Sequence, residues 1–251
     1  MIKYIAVFVL SIFLFSISQA QEKVHFRVNP EKGKSLNYEM IIKSDIEGDE
    51  DVIMDIGLLM SLTPTSLSDS SIIIEAKYPK LTMDIHTAMM TINYNSSIAS
   101  NDEMSQMLEV ELRPLIDNIE TITMNRNGVI KDSQFPNVTE QAFDKSNLKT
   151  FAISFPEEEI AIGDSWFSPS TKGQFGLLTK INNTLIGLTD DGYRVDISGI
   201  YLDDNGEEIG KIEGHYIVDR NTHFTKSSSS NGSIEFDGQK ITSSITLRLI
   251  N

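Results

Sequence analysis

The sequence predicts a mainly β protein: a large curved antiparallel sheet or half-barrel with one or two short helices on its inner face. Three observations carry this. Apolar and polar residues alternate with period two over most of the chain, turn signals containing glycine punctuate the alternation, and the pattern gives way to helical spacing in one clear segment.

The chain opens with "MIKYIAVFVLSIFLFSISQAQEK", which has one charge at Lys3, an apolar run from Tyr4 to Ile17, and small residues at Ser18 and Ala20. This reads as a secretory signal peptide over residues 1–20. The run is shorter than the roughly 20 residues a membrane-spanning helix needs, so no stable membrane span is expected after cleavage. Residues 21–251 are then expected to form a single β-rich domain, exported and soluble, in the periplasm or outside the cell. There is no cysteine, so neither a disulfide nor a lipid on a junction cysteine is available, and stability must come from core burial.

Behind the leader, "VHFRV", "LNYEMIIKS", "VIMDIGLLMSLT", "SIIIEAKY" and "LTMDIHTAMMTINY" each read as a strand, with Gly33, Gly48 and Pro79 near the boundaries. Val52, Met54, Ile56, Leu58, Met60 and Leu62 keep strict period two, which no helix would. The segment "SNDEMSQMLEVELRPL" differs. Met104, Met107, Leu108, Leu112 and Leu115 fall at helical spacing, and Ser100 with Glu103 forms a capping box, which predicts a helix from about Asp102 to Arg113. Pro114 is expected to end it, because the residue before a proline is pushed out of the helical region. A second short helix is expected near Thr139 to Lys145. In the C-terminal third the alternation breaks at Asp191-Gly192, Asn205-Gly206 and Asp237-Gly238, which are hairpin signals. The tail reads as an antiparallel meander, and the whole as one large twisted sheet of roughly ten strands, curved or partly closed.

Without its leader the chain carries 20 basic and 36 acidic residues, a net charge of −16. Such a field repels nucleic acid and anionic membrane surfaces. The acidic stretches "DIEGDEDV" and "DDNGEE" lack the spacing of a calcium-binding loop and read as solvated turns. A zinc site would need the histidines to converge, yet His215 and His223 should point to opposite faces of a hairpin. No metal and no cofactor is implied.

The stretch "IAIGDSW", Ile160 to Trp166, raises the possibility of a serine nucleophile at Ser165. Gly163-Asp164-Ser165 resembles the serine block of the GDSL-type hydrolases. In that family the block opens an α/β domain and an Asp-x-x-His pair closes it, and neither holds here. A turn at Gly163-Asp164, with Trp166 entering the core, is the better expectation. No catalytic residue is assigned.

"NRNGVIKD" (Asn125 to Asp132), "ISFPEEEIAIGDSW" and the late run of paired strands resemble an uncharacterised family of exported β-rich proteins from Gram-negative Bacteroidota, a domain of unknown function with a GDSW-like block. The resemblance implies that Gly163 to Trp166 is a fold signature, and it brings no catalytic residues with it.

Three functions remain open on the sequence. The first is a non-enzymatic envelope protein that binds an apolar ligand or a lipidated partner; the second is a structural or protein-interaction module; the third is a secreted serine esterase. For the first, the methionine-rich front half supplies flexible thioether side chains suited to adaptable apolar surfaces, although the same residues would fill an ordinary core. The expected apolar pocket lies under the helix and comprises Met83, Met89, Met104, Met107, Leu108 and Trp166.

Overall fold

The computed structural model describes residues 23–100, 102–136, 153–172, 177–236 and 238–250. The expected helix near Thr139 to Lys145 and the leader lie outside them. The chain runs through β1 (Lys23–Val24), β2 (Leu36–Glu47), β3 (Val52–Leu67), β4 (Ser71–Thr87), β5 (Thr91–Asn95), helix α1 (Glu103–Asp117), β6 (Glu120–Asn125) and β7 (Ile130–Gln134). It continues through β8 (Ile160–Ala161), β9 (Ser165–Phe167), β10 (Thr171–Lys172), β11 (Leu178–Leu188), β12 (Tyr193–Leu202), β13 (Glu208–Val218), β14 (Thr225–Phe236) and β15 (Gln239–Ile250).

Thirteen of these strands form one sheet, ordered β10-β11-β12-β13-β14-β15-β2-β3-β4-β6-β7, with β5 added to β4 and β9 to β11. β1 and β8 form a separate pair. The C-terminal strand β15 pairs with β2 from Lys240↔Glu47 to Ile250↔Asn37, which joins the late meander to the early one. The two edges, β10 and β7, do not pair with each other, so the sheet is open.

The outer face is polar and laced with cross-strand ion pairs, among them Arg248 to Glu39 at 3.0 Å and Lys43 to Asp55 at 3.5 Å. The inner face takes the alternate residues: Tyr38, Met40 and Ile42 of β2 lie opposite Met60, Leu58 and Ile56 of β3. The period-two expectation for β3 therefore holds.

Four short contacts show how strongly the sheet bends. Val28 N donates to Arg126 O in the β6–β7 turn, and the next residue, Asn29, donates from N to Thr222 O in the β13–β14 turn, both at 2.7 Å. Those turns are six strand positions apart, roughly 29 Å in a flat sheet at about 4.8 Å per strand, yet two consecutive residues span them. From the far edge, Trp166 Nε1 on β9 reaches Ser154 O at 2.7 Å, while Phe155 N donates to Asn127 O beside β6 at 2.8 Å.

The structure revises four local expectations. "VHFRV" is not a full strand: Val24 pairs with Ile160, whereas Phe26 and Val28 leave the sheet and turn inward as core residues. Pro79 does not end a strand, because β4 passes through it. A bulge between Leu59 and Ser61 of β3 lies opposite it, and on its other side it falls in the gap between the stretch of β4 that pairs with β6, which ends at Ala76, and the stretch that pairs with β5, which begins at Thr82. With no amide hydrogen, proline fits where no ladder bond is required.

Helix α1 is capped by Asp102, whose Oδ1 accepts from Ser105 N at 2.9 Å, instead of by Ser100. The helix also continues beyond Pro114 to Asp117. Pro114 enters only the last turn, so the one bond it deletes is to the carbonyl of Val110 on the exposed side. Asn118 Nδ2 then donates to Pro114 O at 2.7 Å and closes the end.

Candidate functional site

The inner face of the sheet has two halves, and the difference begins with what lies over each. At one end the strands are plugged. Phe26 stacks on Phe155 with ring centroids 4.5 Å apart and planes 7° from parallel, Phe155 leans on Trp166, and Phe26 meets Tyr193 and His223 edge on. Beneath this plug Met40, Leu58, Val195, Val218 and Leu247 are buried. A recess between Val28, Met124, Ile153 and Phe224 offers about 10 Å³ of water-accessible space, room for about one water. This end is core.

The turn "NRNG" holds the plug. Asn125 Oδ1 accepts from the N–H groups of Asn127 and Val129, and Asn127 Nδ2 donates to Phe155 O and Pro156 O. Arg126 Nη1 donates to Val28 O and Asn29 Oδ1, both at 3.1 Å. Gly128 has φ +83°, and a Cβ there would lie 2.2 Å from Ile153 O. The two sequence stretches that carry the family resemblance thus meet in space and clamp the sheet shut at one end.

"IGDSW" is a turn in this clamp. Gly163 has φ +93°, Ala161 N donates to Asp164 Oδ2 at 2.8 Å, and Trp166 is half-buried against the core. Ser165 Oγ is exposed and bonded to Thr184 Oγ1 at 2.8 Å. Of the histidines, His86 is bonded to Thr91 and His215 sits opposite Asp196. His223 takes φ +52° and accepts from Arg27 N through Nδ1 at 2.9 Å. Burial holds its pKa below the usual imidazole value, against the opposing pull of its backbone bonds and Asp219. His215 and His223 do not converge. Among the described residues no group of three or more metal-ligating side chains comes together. Asp203 ties its own turn, accepting from Asn205 N and Glu207 N.

A buried carboxylate lies at the other flank. Glu120 accepts from the hydroxyls of Tyr78 and Ser133. Burial first, and the nearby carboxylate second, push the Tyr78 phenol up. The group is sealed from solvent and serves packing.

Toward the opposite end of the strands the inner face is apolar yet half-exposed. Ile42 and Ile46 of β2, Met54 and Ile56 of β3, and Ile241 and Ile245 of β15 all retain solvent contact. From Val52 to Ile56 this surface extends roughly 13 Å at about 3.3 Å per residue. Its floor on β14 is small, made by Ser228, Ser230 and Gly232, which face Tyr216, Gly214 and Ile212 of β13. Hydroxyls of Ser44, Ser243 and Tyr201 interrupt it. The turns at this end carry Asp49, Glu50, Asp51, Asp203, Asp204 and Glu207 and, among the described residues, no basic side chain.

The six residues expected to form one pocket do not come together. Met83 and Leu108 are half-buried and pack on the core. Helix α1 turns Ser105, Leu112 and Leu115 inward against the β4–β5 side, where Ser105 Oγ donates to Asn93 O and Tyr94 donates to Glu109. Its methionines point outward, Met104 at 42 % and Met107 at 56 % exposure, and Met89 lies in the β4–β5 turn at 83 %. Trp166 belongs to the plug. The inward stripe is thus the Leu108, Leu112 and Leu115 series, and the methionines sit beside it. Sequence reasoning missed Ser44, Tyr201 and Gly232. The alternating small residues of "KSSSSNGS" were the available signal for the floor.

Among the described residues no helix is long and apolar enough to cross a membrane. No family model matches the chain, and no curated protein matches it. The fold is similar to part of lipovitellin, in a structure concerned with its lipid–protein interactions: 12% identity, a TM-score of 0.57, and coverage of 88% of this chain and 25% of that one. The chain therefore spans a quarter of the length of lipovitellin. Two more distant structures match at TM-scores of 0.23 and 0.22: a Vibrio parahaemolyticus domain assigned to outer membrane lipoprotein sorting, and DynF from the dynemicin biosynthesis pathway of Micromonospora chersina. The first is 7% identical and covers 85% of each chain; the second is 9% identical and covers 92% of this chain and 86% of its own.

Proposed function

We propose that this is an exported, non-enzymatic envelope protein that holds the apolar part of a lipid or of a lipidated partner on the half-exposed end of its inner sheet face. One observation carries the reading: an apolar surface on Ile42, Ile46, Met54, Ile56, Ile241 and Ile245, crossed by the Ser44–Ser243 pair, keeps solvent contact, while the other end of the same strands is sealed. Apolar surface left open next to a packed core costs stability that burial would supply, and patches of this kind mark binding sites. The likeness to the lipovitellin fold supports the reading by analogy of architecture. Grouping with the exported Bacteroidota proteins that carry a GDSW-like block, and a leader removed after residue 20, are part of the same proposal.

Native mass spectrometry of protein purified from the periplasm, compared with delipidated protein, tests it. The expected result is a lipid adduct that disappears on delipidation and a melting temperature that rises when fatty acids or phospholipids are added. No adduct and an unchanged melting temperature would contradict it.

A second reading, a protein-interaction module, is favoured by a different observation. Met104, Met107 and Val110 form an outward apolar stripe on α1, so a partner could dock there without using the inner face.

A further inference from the structure

The half-exposed face is not uniformly apolar, and its polar atoms are grouped. Ser44 is 3 % exposed, and among the described residues its hydroxyl is the one buried side-chain polar atom without a hydrogen-bond partner. Buried hydroxyls are paired in the great majority of native structures, and each exception has a cause. Ser44 lies on the inner face between Ile42 and Ile46, directly across from Ser243 on one side and Met54 on the other. Ser243 in turn sits across from Gly232. A Cβ at Gly232 would lie 2.8 Å from the Tyr201 hydroxyl oxygen and 3.2 Å from Ser243 Oγ, so those hydroxyls converge over the bare glycine. Tyr201 can reach there because its neighbour across β13 is Gly210, which has no side chain to hold the ring up. Burial pushes the Tyr201 phenol up, so it stays a neutral donor at physiological pH.

We infer that Ser44, Ser243 and Tyr201 form a hydroxyl cradle that takes the carbonyl of an acyl ester or amide, so that the cargo is an acyl chain with a neutral carbonyl linkage. This rests on the apolar-ligand reading above and specifies its ligand. Three hydroxyls offer donors, and a carbonyl is the acceptor that satisfies them without bringing in a charge. A free carboxylate is disfavoured because Asp49, Glu50, Asp51, Asp204 and Glu207 surround the entrance with no basic residue in those turns. The depths agree. Ser44 lies two residues, about 7 Å, inside the rim residue Ile46, and four residues, about 13 Å, short of the plugged level at Met40. A chain of medium length therefore runs from the cradle along Ile42 and Ile56 toward the plug. Met54 stands beside Ser44 on β3, and its unbranched side chain can adapt to a chain laid there.

Calorimetric titration of the full-length delipidated protein with methyl decanoate, 1-methoxydecane and decanoate tests the inference. The ester and the ether differ only in the carbonyl. The ester is expected to bind roughly 3- to 10-fold more tightly than the ether, the worth of one hydrogen bond, and decanoate is expected to bind more weakly than the ester. Ser44→Ala should erase the ester preference, keep ether affinity within about twofold, and leave the melting temperature unchanged or higher, since it removes an unpaired buried hydroxyl. Gly232→Ala, which fills the cradle, should also erase the preference. Equal affinities for ester and ether in the wild type, or a preference that survives both substitutions, would overturn the cradle while leaving apolar binding intact. A lowered melting temperature for Ser44→Ala would also overturn it, because the hydroxyl would then have a partner in the free protein. If neither ester nor ether binds, the apolar-ligand reading itself falls, and the cradle with it.

Discussion

The two ends of β3 use the same kind of residue at the same period and reach different fates. Leu58, Met60 and Leu62 are buried, whereas Val52, Met54 and Ile56, continuing the same alternation on the same face, keep solvent contact. The difference comes from outside the strand. Segments around Phe26 to Asn29, Ile153 to Pro156 and Trp166 fold back over one end, tied by the Asn125 to Gly128 turn, whereas at the other end α1 covers Ile92 and Tyr94 on the β5 side and leaves the inner residues of β2, β3 and β15 in solvent contact. Alternation decides which side chains face inward; distant chain decides which of them become core.

The comparison can be broken first at the plug. Phe26→Ala removes a fully buried ring stacked on Phe155 and should cost about 4 kcal/mol in denaturant unfolding. Trp166→Ala, half-buried but carrying the bond to Ser154 O, should cost about 3 kcal/mol. Gly128→Ala should cost about 2 kcal/mol, because its backbone is left-handed and the added methyl would strike Ile153 O. Met54→Ala at the open end should cost only about 1 kcal/mol, in proportion to the smaller area it buries. A plug substitution no more costly than Met54→Ala would erase the distinction between the halves.

Smaller still is a pH effect confined to the plug. Burial depresses the His223 pKa below the usual imidazole value, so the unfolded chain binds the proton more readily. Its stability contribution is complete above about pH 6.5 and is lost as pH falls from there through the depressed folded value. His223→Gln should flatten the fall in stability across that window. An unchanged slope would show that other groups set it.

Much of the fold was legible in the residues. Gly192, Gly206 and Gly238 mark turns with positive φ where the Asp-Gly and Asn-Gly pairs stand, and the helix begins within a residue of Asp102. The errors have local physical reasons: Pro79 falls at a bulge where no ladder donor is needed, and Pro114 falls in the last helical turn, where the one bond it deletes leaves an exposed carbonyl. The candidate site was less legible. Met104 and Met107 fit the helical stripe as well as Leu108 and Leu112 do, and only packing against β4 and β5 selects the leucines. Ser44 looks like an ordinary polar interruption until Ser243, Gly232 and Tyr201, far along the chain, are brought beside it.

The central claim is that one end of the inner face is core and the other is a binding surface, and isoleucine methyl resonances report on both. In spectra of the delipidated protein titrated with methyl decanoate, the δ1 methyls of Ile42, Ile46, Ile56, Ile241 and Ile245 should shift with saturation. Those of Ile72, Ile74 and Ile122, buried at the plugged end, should stay within error of their free positions. Shifts at Ile41 and Ile53 on the outer face in place of the inner set, or no saturable shift at any isoleucine, would contradict the account.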